Sequence, residues 1–115
     1  MRAAEVAFVG ALVHRFPTLR PILQEHLDDY DALLPHVLMG DVTRWVVGEF
    51  RTHGESDRLR EVLDFIESSY HQGDEHEQEI IAVSFLENLP RPDEQESGLR
   101  GLLGPSLTEQ LRVIG

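Results

Sequence analysis

Histidine and carboxylate are the abundant titratable groups of this 115-residue chain, with six His and 21 Asp plus Glu. Cys and Lys are absent. A thiol nucleophile, a disulfide framework and a thiolate zinc site are therefore excluded. The densest grouping is His71, Asp74, Glu75, His76 and Glu77. Imidazole and carboxylate ligate zinc and other first-row metals, and a metal held there would activate water for hydrolysis. Against that, no two His lie at i,i+3 or i,i+4, the spacing that sets two ligands on one helix face. The plainer reading is an acidic helix N-terminus whose carboxylates complement the helix dipole. The expectation is thus no metal and no cofactor. Should a metal bind, His71, Asp74 and His76 are the candidates, and a metal-binding domain or metal-dependent hydrolase is the alternative function.

Asp41, Thr43, Arg44 and Trp45 form a second grouping. Asp41 and Arg44 are three apart, so a carboxylate–guanidinium contact is expected on a helix. Trp and Arg also dominate protein interface hot spots. Trp45 shares a helical stripe with Val42, Val46 and Phe50, which favours a core role, while Arg44 falls off the stripe and stays available to a partner. Ser84 lacks the Gly-x-Ser-x-Gly elbow of a nucleophilic serine and is expected to bond back to a helix carbonyl. Gly98-Leu99-Arg100-Gly101 has neither the Lys nor the preceding strand of a phosphate loop. No catalytic residue emerges, and a non-enzymatic protein is expected.

The elements that carry these groups read as helices throughout. Val6, Val9, Val13 and Phe16 recur at helical spacing until Pro17, with Thr18 as the next N-cap. Leu19, Ile22, Leu23, Leu27 and Tyr30 make the buried stripe of a second helix, with Pro21 in its first turn. Pro35 breaks the chain, residues 36–40 connect, and Asp41 caps a third helix ending at Gly54. A fourth starts near Ser56 or Asp57 and buries Leu59, Val62, Leu63, Ile66 and Tyr70. Gly73 stops it. Asp74 and Glu77 have capping-box spacing for a fifth, whose apolar run Ile80-Ile81-Ala82-Val83-Ser84-Phe85-Leu86 suits a helix packed on several sides. Residues 90–97 are the main loop, a short helix runs near Leu99 to Leu103, and Pro105 opens the last helix. The expected class is all-α: one domain over 1–115 of six to seven short antiparallel helices, with HEAT-like α-solenoid packing the favoured arrangement.

Three segments together look familiar: Leu34-Pro35-His36-Val37-Leu38-Met39-Gly40-Asp41-Val42-Thr43-Arg44-Trp45-Val46, then Ile81-Ala82-Val83-Ser84-Phe85-Leu86-Glu87-Asn88-Leu89, and the ending Leu103-Gly104-Pro105-Ser106-Leu107. They resemble a family of small acidic helical bacterial proteins of uncharacterised function, associated with the immunity partners of secreted polymorphic toxins. The resemblance implies a toxin-neutralising or other interaction protein. It implies no catalytic site.

Charge is the strongest functional signal. The net charge is −11, and it is uneven: residues 24–31 carry −4, 55–79 carry −7 and 80–98 carry −3, while 32–54 is neutral and both ends are weakly positive. Such a chain repels nucleic-acid phosphates and anionic membranes. It attracts and orients a basic protein. Were the second, fourth and fifth helices to pack side by side, Asp28, Asp29, Asp31, Asp64, Glu67, Asp74, Glu75, Glu77 and Glu79 would make one negative docking surface, with Arg44 a further contact. A nucleic-acid mimic that blocks a DNA-binding protein is the other partner reading. The apolar N-terminal stretch is interrupted by Glu5 and is too short for a membrane span, so the expected location is cytoplasmic.

Overall fold

Prolines and short polar side chains set most of the helix starts. The computed structural model describes residues 3–114, and among these it forms six α-helices and no strand. They are α1 (Ala3–Arg15), α2 (Arg20–Tyr30), α3 (Pro35–His53), α4 (Asp57–Gln72), α5 (Glu75–Ser84) and α6 (Pro105–Ile114), with 3-10 turns at Pro17–Leu19, Leu86–Asn88 and Ser97–Leu102. The protein is all-α. Proline stands in the first turn of α2 and α3 and opens α6, where its missing N–H would have had no helical partner. Ser56 Oγ accepts the Leu59 N–H at the start of α4, and Asp74 Oδ1 accepts from the His76 and Glu77 N–H groups at the start of α5.

Three expectations about these elements need correcting. Residues 36–40 are not a connector, because α3 begins at Pro35 and Asp41 lies inside it. Pro35 has the fixed φ of a helix start, and Leu38, Val42 and Val46 then continue one buried stripe at four-residue spacing. Thr18 caps no helix: it lies in the 3-10 turn, and Leu19 precedes α2. On α2 the buried face is also rotated. Leu27 and Tyr30 are 37% and 50% exposed, whereas His26 is 1% exposed. His26 Nε2 accepts the Leu34 N–H at 2.9 Å, joining α2 to the start of α3, while its Nδ1 is buried with no hydrogen-bond partner among the described residues.

One contiguous core contains Phe8, Leu12, Leu19, Met39, Leu59, Ile66, Phe85 and Leu107. Its central element is α5, which packs on α1, α3 and α4. The apolar run 80–86 is not one helix enclosed on all sides: α5 ends at Ser84, Leu86 opens the 3-10 turn, and Val83 is 46% exposed, while Ile80, Ile81, Phe85 and Leu86 are enclosed. Helices α1 to α5 touch in succession, α1 also packs on α5, and α6 packs on α4 and on the Leu86–Asn88 turn. The Cα radius of gyration is 13.3 Å, against about 13 Å expected for a packed chain of this length. Among the described residues no helix is long and apolar enough to cross a membrane.

Candidate interaction surface

The acidic residues divide between two parts of the fold. Asp28 and Asp29 are exposed near the end of α2, and Asp31 follows in a left-handed C-cap conformation, φ 54°. Asp64 is exposed on α4, and Glu75 and Glu79 on α5. Helix α2 packs mainly on α1 and α3, while α4 and α5 pack on one another. The α2 acids therefore form one group and the α4–α5 acids another. Among the described residues no arginine pairs with Asp28, Asp29, Asp31, Asp64, Glu75 or Glu79. Gln24 Nε2 donates to Asp28 at 3.0 Å.

Two of the acids have structural duties and a third is half-buried. Glu67 is half-buried, and its two oxygens accept the Ser106 and Leu107 N–H groups, each at 3.0 Å. A carboxylate from α4 thus caps α6 and ties the two helices together. Gly104 allows this approach: a Cβ there would lie 2.6 Å from the Glu67 carboxyl. Asp74 caps α5. Glu77 is half-buried, and burial followed by the nearby Asp74 charge raises its carboxyl above the usual range. His71 shares a 3.2 Å hydrogen bond with the Ser106 hydroxyl. Among the described residues no three His, Cys, Asp or Glu side chains converge as a metal-holding group.

Arg44 and Asp41 are ion-paired, as their spacing predicts. Arg44 stands on a ridge of α3 between two clefts. One, of about 600 Å³, lies between α3 and residues 87–96 and includes Arg51, Arg91, Glu87, Glu94 and Glu96 in its wall. Arg51 Nε lies 2.9 Å from Glu96, Arg91 Nε 3.9 Å from Glu94, and Arg100 Nη1 donates to the Pro90 carbonyl at 3.0 Å. Arg51 and Arg91 are paired with carboxylates of the loop, and the Arg51–Glu96 pair holds the loop against α3. The other cleft, of about 450 Å³, lies between α2 and α3 and is lined by Ile22, Glu25, Asp29, Tyr30, Asp41, Arg44 and Trp45. Trp45 is half-buried at the edge of the core rather than within it.

A partly buried polar chain escapes sequence reasoning altogether. Glu5 is 7% exposed, and its Oε1 lies 3.6 Å from His36 Nε2. His36 Nδ1 and Ser84 Oγ share a hydrogen bond of 2.6 Å, so Ser84 bonds across to α3 rather than back along its own helix. The Ser84 carbonyl accepts from Thr43 Oγ1 at 3.0 Å and from Asn88 Nδ2 at 2.9 Å. The order carboxylate–imidazole–hydroxyl resembles that of a hydrolase triad. Ser84 is buried, however, and lines neither cleft. A nucleophile needs space for a reacting carbonyl and donors for its oxyanion. The chain here joins α1, α3 and α5.

No curated protein and no solved structure matches the chain. A family pattern does match, over residues 9–113, from the middle of α1 into α6. The chain accordingly belongs to DUF7674, a domain of unknown function.

Proposed function

We propose that this domain is a non-enzymatic, cytoplasmic protein-binding module of the immunity type, which occludes a basic partner, most concretely a toxin, through its acidic helices. The observation that carries the reading is the set of exposed carboxylates on α2, α4 and α5 that no arginine neutralises, in a chain of net charge −11. Three ion pairs lie at α3 and the loop that follows the Leu86–Asn88 turn, and the one that involves α4, Arg60 with Glu55, leaves these carboxylates unpaired. A folded domain whose uncompensated charge lies on three of its helices presents a field of one sign. That field accelerates encounter with a cationic surface and disfavours anionic partners. The resemblance to toxin-immunity proteins points the same way.

The direct experiment is co-expression with the product of the neighbouring gene, followed by size-exclusion chromatography and toxicity rescue. A stoichiometric complex with a basic protein, and rescue of growth, are the expected outcomes. A neighbour that is neither basic nor bound, with no basic protein co-purifying, refutes the reading.

A further inference from the structure

The groove between α2 and α3 carries chemistry that diffuse negative charge does not supply. Its walls are two aromatic side chains, Tyr30 from α2 and Trp45 from α3, with three carboxylates, Glu25, Asp29 and Asp41, against the single guanidinium of Arg44. Asp41 is occupied by Arg44, whereas Glu25 and Asp29 have no arginine partner among the described residues. The Tyr30 ring is backed by the buried His26 ring at 5.0 Å between centroids, so the α2 wall is held before anything binds. Aromatic faces beside unpaired carboxylates attract a cation twice over, through the ring quadrupole and through the charge.

We propose that this groove is a socket for one arginine or lysine side chain of the partner polypeptide. The proposal rests on the basic-partner reading above and names where such a partner anchors. A polypeptide fits better than a free small cation because apolar surface continues beyond the carboxylates. Leu27 shares a helix face with Tyr30, three residues on, and Val37 shares one with Asp41, four residues on. Leu27, Leu34 and Val37 are each more than a third exposed. Residues flanking the inserted cation would cover them, and the complementary charge sets the orientation. Arg44 then acts as the resident competitor for Asp41, not as a contact to the partner.

Trp45 is the one tryptophan of the chain, so its fluorescence reports on the groove directly. The probes are a short peptide with two arginines between leucines, its neutral citrulline counterpart, and spermine. The arginine peptide is expected to change Trp45 emission saturably, and the other two are not. Glu25→Gln with Asp29→Asn should weaken that binding about fivefold to tenfold, the loss of two exposed charge contacts beside an aromatic face. Arg44→Gln should tighten it about threefold by freeing Asp41. Asp64→Asn with Glu75→Gln, remote on α4 and α5, should leave it within about twofold. An equal response to spermine, or weaker binding with Arg44→Gln, overturns the socket. Peptide binding seen by anisotropy, weakened by the α4–α5 variant and silent at Trp45, overturns the socket while sparing the basic-partner reading. Absence of binding to both the peptide and the neighbouring gene product removes both.

Discussion

Glu67 offers the sharpest test of how the fold is held, because the structure gives its carboxylate two backbone donors and a glycine that makes room for it. Replacing Glu67 with Ala removes both bonds, to the Ser106 and Leu107 N–H groups. Each bond to a charged acceptor contributes about 1.5–3 kcal/mol, and loss of a helix cap costs about 0.5–2 kcal/mol in practice. The expected loss is about 2 kcal/mol, or about 8 °C in Tm for a domain of this size. Gly104→Ala should cost a similar amount by a different route, because its Cβ would meet the Glu67 carboxyl at 2.6 Å and displace it. Gly104 does not adopt a left-handed φ, so Ala is otherwise compatible with its backbone. Once Glu67 is Ala, Gly104→Ala should be neutral, or stabilising by about 0.5 kcal/mol through the unfolded chain. Urea unfolding followed by Trp45 emission across the four proteins gives the coupling, expected at about 2 kcal/mol. Additive losses, agreeing within about 0.5 kcal/mol, would refute the cap.

Three further outcomes follow from particular contacts. Ser84→Ala removes the partner of His36 Nδ1 and should cost about 1–2 kcal/mol by urea unfolding, and an unchanged midpoint would show that this polar chain holds nothing. Glu77 has a carboxyl raised by burial and then by Asp74, so its contribution to stability is full below the ordinary carboxylate range and is lost as pH rises through the raised value. Glu77→Gln should therefore gain on the wild type as pH rises from below the ordinary carboxylate range to above it, and a difference that stays constant over that rise refutes the burial argument. Gly54 ends α3 at φ 65° with open space around it, so Gly54→Ala should destabilise by about 1–2 kcal/mol through backbone strain alone. Gly48, inside α3 and equally unobstructed, should respond to Ala with a gain of about 0.5–1 kcal/mol. Thermal melts of this pair moving in the same direction would contradict the backbone assignment.

Periodicity and capping chemistry made most of the architecture readable. Ser56, Asp74 and Pro105 signal their helix starts locally, and each does so in the structure. Pro35 misled because a proline both ends one helix and opens another. Here it opens α3, and Asp41, a plausible cap by type, lies within the helix. His26 misled for a different reason. Its burial depends on the Leu34 N–H, a partner eight residues away that no helical spacing reveals. Glu67 illustrates the limit for the candidate surface: counted by charge it belongs with the other acids, yet contacts with a helix about forty residues later give it a capping role. The Glu5–His36–Ser84 chain is assembled from three helices, so no local pattern announces it. What sequence supplied without the fold was the uneven charge, and the fold distributes that charge between α2 and the α4–α5 pair.

The most direct test of a charge-steered binding domain is the association rate with its basic partner as a function of ionic strength. From about 0.01 M to about 0.5 M salt the screening length falls from about 30 Å to a few ångström. The association rate should fall by about tenfold or more over that range while dissociation changes little. Neutralising Asp64, Glu75 and Glu79 together should flatten the slope. An association rate independent of salt, with wild type and the neutralised variant superimposed, would contradict the claim that these carboxylates guide a basic partner.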